Sequence, residues 1–75
     1  MSAPTIDRKN QMRLRYRAKQ LDIDPLTSGG RFTLVELREE GPYLWGYRLT
    51  EAETVAKLNE IARTKGANLD PVHLD

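Results

Sequence analysis

The sequence contains no cysteine, so no disulfide can staple the chain and no thiolate can serve as nucleophile or metal ligand. It contains one histidine, His73, which stands near the C-terminus away from any second ligand type. A His-based metal site and a nucleophile–base pair are therefore both excluded as sequence expectations. No apolar run approaches the roughly 18 residues that a membrane span requires. The N-terminus lacks an apolar signal core, which points to a cytoplasmic protein. Aromatic residues are sparse, with one Trp, one Phe and three Tyr in 75 residues. A chain this short sits near the size where a single hydrophobic core is marginal, and pairing with a second copy is one way to complete it.

What the sequence does have is an uneven charge. Residues 1–30 carry six basic side chains (Arg8, Lys9, Arg13, Arg15, Arg17, Lys19) against Asp7, Asp22 and Asp24, a net of +3. Residues 31–75 carry six basic and eight acidic groups, a net of −2. The overall +1 hides a basic N-terminal element on a mildly acidic body.

At the centre of that element lies MRLRYRAK, residues 12–19, in which apolar and basic residues alternate. As a strand it places Met12, Leu14, Tyr16 and Ala18 on one face and four cations on the other. As a helix it gives a narrow stripe of Leu14, Ala18 and Leu21, with Met12 and Tyr16 on the opposite side. The alternation favours the strand, whereas composition favours the helix. No β-branched residue occurs from Arg8 to Asp22, and Gln, Met, Arg, Leu, Ala and Lys are good helix formers. Thirteen residues are also long for a strand in so small a domain. The helix is the expectation.

Further along, RFTLVELR (31–38) and YLWGYRL (43–49) read as two strands joined by a turn at Glu39-Glu40-Gly41-Pro42. Period two puts Tyr43, Trp45, Tyr47 and Leu49 on one face of the second strand, where they are expected to form core. An exposed stacking platform or an interface is the alternative. Gly46 suggests a bulge or a close approach by another element. Asp24-Pro25 and Ser28-Gly29-Gly30 are turn signals, with room for a short edge strand near 22–26. Thr50-Glu51-Ala52-Glu53 is a capping box, followed by apolar residues at Val55, Leu58, Ile61 and Ala62. Gly66 follows Arg63 and Lys65 as a stop. A helix over 51–65 follows.

The fold expectation is α+β: a basic N-terminal helix, an antiparallel β-hairpin or small three-stranded sheet, and a C-terminal helix. Residues 1–7 are expected as a flexible arm, 8–66 as the domain and 67–75 as a flexible tail. The order of features resembles a group of short proteins of unknown function common in actinobacteria and their phages. The residues carrying the likeness are Ala18-Lys19-Gln20-Leu21, Gly30-Arg31-Phe32-Thr33-Leu34-Val35 and Leu49-Thr50-Glu51-Ala52-Glu53-Thr54-Val55, within about residues 11–62. The chain departs from that pattern in its Asp22-Ile23-Asp24-Pro25 connector and at Glu51-Ala52. The resemblance implies the α-β-β-α order and carries no biochemical role.

Carboxylates such as Glu36, Glu39, Glu40, Glu51 and Glu53 have no motif neighbour that would make them acids, bases or Mg²⁺ ligands. The expectation is a non-enzymatic protein without cofactor or metal. The leading function is contact with DNA or RNA through Arg8, Lys9, Arg13, Arg15, Tyr16, Arg17 and Lys19, because guanidinium and ammonium groups pair with phosphates. The alternative is a protein-binding modulator, or a subunit of a small assembly or homodimer, using Met12, Tyr43, Trp45 and Tyr47. In that case the basic run is simply a solvated flank.

Overall fold

The computed structural model describes residues 8–74, arranged as α1 (Arg8–Gln20), β1 (Asp24–Ser28), β2 (Arg31–Arg38), β3 (Gly41–Leu49) and α2 (Glu51–Lys65). The strands form one antiparallel sheet in the order β1-β2-β3. MRLRYRAK is helical. Its alternation is that of a helix whose i, i+4 row Asn10–Leu14–Ala18 is buried while the rows on either side are basic. The expected arm at residues 1–7 lies outside the described residues.

Both helices end in the same way. After α1, Asp22 takes a left-handed conformation (φ 61°), the Asp22 N–H donates to the Lys19 carbonyl, and the Ile23 N–H donates to that of Ala18. After α2, Gly66 (φ 69°) donates to the Arg63 carbonyl and Ala67 to that of Ala62. These are paired Schellman closures, each with its apolar contact, Ile23 and Ala67 returning to the core. The helix ends at Gln20, as expected for thirteen residues over 8–20, although an aspartate in the left-handed position is a weaker stop signal than glycine.

The third strand is present, but two residues later than expected, at Asp24–Ser28. Its position is set by Gly29 and Gly30, which both have positive φ (57° and 78°) and join Ser28 to its partner Arg31 in a two-residue hairpin turn. In β3 the expected period-two stripe holds in part: Trp45 and Leu49 pack against the core, whereas Tyr43 and Tyr47 are exposed. The β2–β3 register shifts twice, between Phe32 and Leu34 and between Leu34 and Val35, and Arg48 adopts φ 53°. These bulges pair Leu34 with Gly46 and Phe32 with Leu49, so Leu49 reaches the core while Tyr47 is left exposed. Leu49 occupies the space above Gly46: a Cβ there would lie 2.5 Å from Leu49 Cδ1. Of the two readings of the lone glycine the bulge is the one present, and the close approach comes from Leu49 of the same strand.

Leu14, Ala18, Leu21 and Ile23 from the first third, Phe32 and Leu34 from β2, and Leu58, Ile61 and Ala62 from α2 make one core between the helices and one face of the sheet. Thr54 is buried among them because its hydroxyl donates to the Thr50 carbonyl at 2.7 Å. The capping box forms in full, with Glu53 N–H donating to the Thr50 hydroxyl (3.1 Å) and Thr50 N–H to the Glu53 carboxylate (2.9 Å). The Thr50 backbone N–H, and after it the Thr50 side chain, hold the Glu53 carboxyl below its usual pKa.

Through residue 74 the C-terminal segment is packed, contrary to the expected tail. Val72 is buried, and Leu69 and Leu74 lie against the core. The Asn59 side chain clamps the backbone of Val72, accepting from its N–H at 2.9 Å and donating to its carbonyl at 3.2 Å. That stretch holds only scattered apolar residues, and the clamp is a single asparagine thirteen positions away.

Candidate nucleic-acid interface

The geometry of α1 follows from its four i, i+4 rows. Opposite the buried row stands Arg8–Met12–Tyr16–Gln20, with Met12 and Tyr16 each 69% exposed. On one flank lie Lys9, Arg13 and Arg17, on the other Gln11, Arg15 and Lys19. An apolar and aromatic crest thus runs between two cationic lines. The helix carries six basic residues and no acidic one.

Each flank leans on a different part of the domain. Arg15 reaches the Thr27 hydroxyl on β1 at 3.4 Å. Arg17 is half-buried, donating to the Asp70 carbonyl at 2.6 Å and to the Gln20 side-chain oxygen at 2.9 Å. All these acceptors are neutral oxygens, which orient the guanidinium groups without cancelling their charge. Arg17 also fastens the C-terminal segment to α1. Lys19 borders a shallow cleft with Asp22 and Asp24, so its field is partly offset. On the body, Glu36 pairs with Lys65 and Arg38, and Glu60 with Lys57.

Beside the crest, α1 and the C-terminal segment enclose an open cleft of about 340 Å³. Arg13, Tyr16, Arg17 and Gln20 form one wall, and Pro71 and His73 stand on the other. His73 was set aside in the sequence for want of a partner. The packing of Val72 is what carries it to the edge of α1. Among the described residues no cluster of acidic, His or Cys side chains is placed to hold a metal ion, and no helix is long and apolar enough to cross a membrane.

The residues expected for a protein interface do not come together. Met12 is on α1, which lies over β1, whereas Tyr43, Trp45 and Tyr47 are on β3 at the far edge of the sheet. Tyr43 and Trp45 meet edge to face, their ring centroids 5.0 Å apart, and the Arg38 guanidinium lies 4.0 Å over the Tyr43 ring. The Trp45 indole N–H donates to Glu36 at 2.8 Å, and Glu36 also accepts from Lys65 at 2.8 Å and Arg38 at 3.2 Å. Lys65 first, then Trp45 and Arg38, hold the Glu36 carboxyl at about 2, below its ordinary 4.5. This cluster joins the end of α2 to the hairpin. The sequence signal for it was indirect, since Glu36 falls on the same face of β2 as Phe32 and Leu34.

Comparison with protein families, with characterised proteins and with solved structures returns no match for this chain.

Proposed function

We propose that the protein is a non-enzymatic nucleic-acid-associated accessory or regulatory factor whose contacting element is α1. One observation carries this reading: a helix with no acidic residue displays Met12 and Tyr16 between two lines of cations, and the bonds that orient Arg15 and Arg17 go to neutral oxygens. A solvated flank needs neither an exposed aromatic crest nor anchored guanidinium groups.

Thirteen residues of helix span about 20 Å, the length of roughly six base pairs. Cations on both sides of a crest suit the two phosphate walls of a groove, and Tyr16 is placed to touch sugar or base. Arg8, Lys9, Arg13 and Arg15 contribute most of the attraction, and Lys19 contributes less beside Asp22 and Asp24.

The test is fluorescence anisotropy with labelled duplex DNA, duplex RNA and single-stranded RNA, at about 0.05 M and 0.15 M salt. The expected result is binding at micromolar or tighter affinity that weakens steeply with salt and is lost on replacing Arg8, Arg13 and Arg15 together by Gln. Arg17 is retained because it holds the C-terminal segment. Absence of binding to all three probes at the lower salt overturns the proposal.

A further inference from the structure

Both helices pack on one side of the three-stranded sheet, and the other side carries an apolar strip. Antiparallel partners share a face, so the register places Leu26 with Thr33, Val35 with Leu44, and Leu37 with Pro42 on the side away from Phe32 and Leu34. Leu37 is 78% exposed, Leu44 54% and Leu26 51%. Asp24, the β1 partner of Val35, borders them on the same face. A sheet with one solvated face ordinarily alternates apolar and polar residues, but β2 reads Phe-Thr-Leu-Val-Glu-Leu, apolar on both faces. Isolated exposed leucines need no explanation, whereas three clustered on one sheet face do.

We infer that this face is a homodimer seam, in which the sheets of two copies pack face to face with their strands antiparallel. Charge selects that arrangement. Arg31 and Arg48 lie at the end of the strip where β2 begins and β3 finishes, while Glu39 and Glu40 form the turn at the opposite end. A two-fold axis crossing the strands sets the basic end of each copy against the acidic end of the other. A parallel stack would oppose like charges.

The area sets the strength. Strands about 4.8 Å apart, over some 20 Å of length, give a strip of roughly 300 Å² in plane and about 500–600 Å² of accessible surface per copy. Two copies bury about 1,000–1,200 Å², the lower limit for a specific interface. The dimer is therefore reversible and concentration-dependent. It leaves α1 outside on each copy and does not depend on the nucleic-acid reading.

Sedimentation velocity over a concentration series tests it, on the full chain and on the Leu37→Asp/Leu44→Asp variant. Both positions are exposed, so the variant keeps its fold, checked by circular dichroism. Wild type is expected to pass from monomer to dimer across the micromolar range, and the variant to weaken dimerisation at least tenfold. Glu39→Arg with Glu40→Arg is expected to weaken it as well, and the further change Arg31→Asp to restore it in part. A monomer at every concentration overturns the proposal and assigns the face to a different partner. A dimer indifferent to Leu37 and Leu44 overturns it equally.

Discussion

Asn59 joins the C-terminal segment to the rest of the fold, and its removal shows how firmly that segment belongs to the domain. The side chain makes two bonds to the backbone of Val72, at 2.9 and 3.2 Å, in a partly buried setting. Each such bond contributes about 0.5–1.5 kcal/mol, so Asn59→Ala costs about 1–3 kcal/mol. The upper part of that range applies, because the Val72 N–H and carbonyl lose their partners together. A domain of this size has a total stability of about 4–11 kcal/mol, so the loss is a substantial fraction. With a urea slope of about 1 kcal/mol per molar, the midpoint falls by roughly 1–3 M. Asn59→Asp keeps the acceptor for the Val72 N–H and loses the donor to its carbonyl, and is expected to cost about half as much.

The assay is urea unfolding followed by the fluorescence of Trp45, the single tryptophan. A chain ending at Gly66 supplies the control. It loses the buried Val72, about 2 kcal/mol, and in that background Asn59→Ala adds little, because the clamp has nothing to hold. A midpoint for Asn59→Ala within about 0.2 M of wild type would refute the reasoning and return residues 67–74 to the status of a tail.

Three other perturbations follow from the same geometry. Thr50→Ala removes the capping box at the start of α2 and is expected to cost about 1 kcal/mol, read as a lower thermal midpoint. Gly46→Ala drives a methyl into Leu49 and is expected to cost about 1–3 kcal/mol, and Leu49→Ala in the same chain should relieve the clash without restoring the lost core contact. The third concerns pH. Glu36 titrates at about 2 in the folded chain against an ordinary 4.5. Its stabilising pairings are therefore complete above about pH 4.5 and are lost as pH falls toward 2. Trp45 emission should change across that window as the indole loses its carboxylate partner. Glu36→Gln should flatten the acid limb of the stability profile while lowering stability at neutral pH.

The parts of the fold legible in the sequence are those specified locally. The capping box at Thr50, the period of Val55, Leu58 and Ile61, and Gly66 define α2 to the residue. The composition of MRLRYRAK outweighs its alternation, because a helix with basic rows on both sides of a buried row reproduces that alternation. The parts that were not legible depend on partners remote in sequence. Bulges in β3 carry Leu49 into the core and leave Tyr47 outside, and Gly46 marks a bulge within YLWGYRL without specifying the register of β2 against it. Asn59 meets Val72 only once α2 is docked.

The candidate site divides along the same line. Its exposed cations and the Met12–Tyr16 crest followed from helical spacing. The anchoring of Arg17 on Asp70 and the arrival of His73 beside α1 depend on the C-terminal segment folding back. The apolar strip of Leu26, Leu37 and Leu44 had a signal in the doubly apolar pattern of β2, but the aromatic residues of β3 drew the interface expectation instead.

The most direct test of the nucleic-acid reading is the salt dependence of duplex binding, as log Kobs against log salt, for wild type and for the Arg8→Gln/Arg13→Gln/Arg15→Gln variant. Each phosphate contact contributes about 0.9 to the slope on B-form DNA. Loss of three contacts should make the variant's slope shallower by roughly 2–3 and its affinity far lower at 0.05 M salt. Parallel lines for the two proteins would place any binding outside α1, and no binding by wild type at the lowest salt would contradict the account entirely.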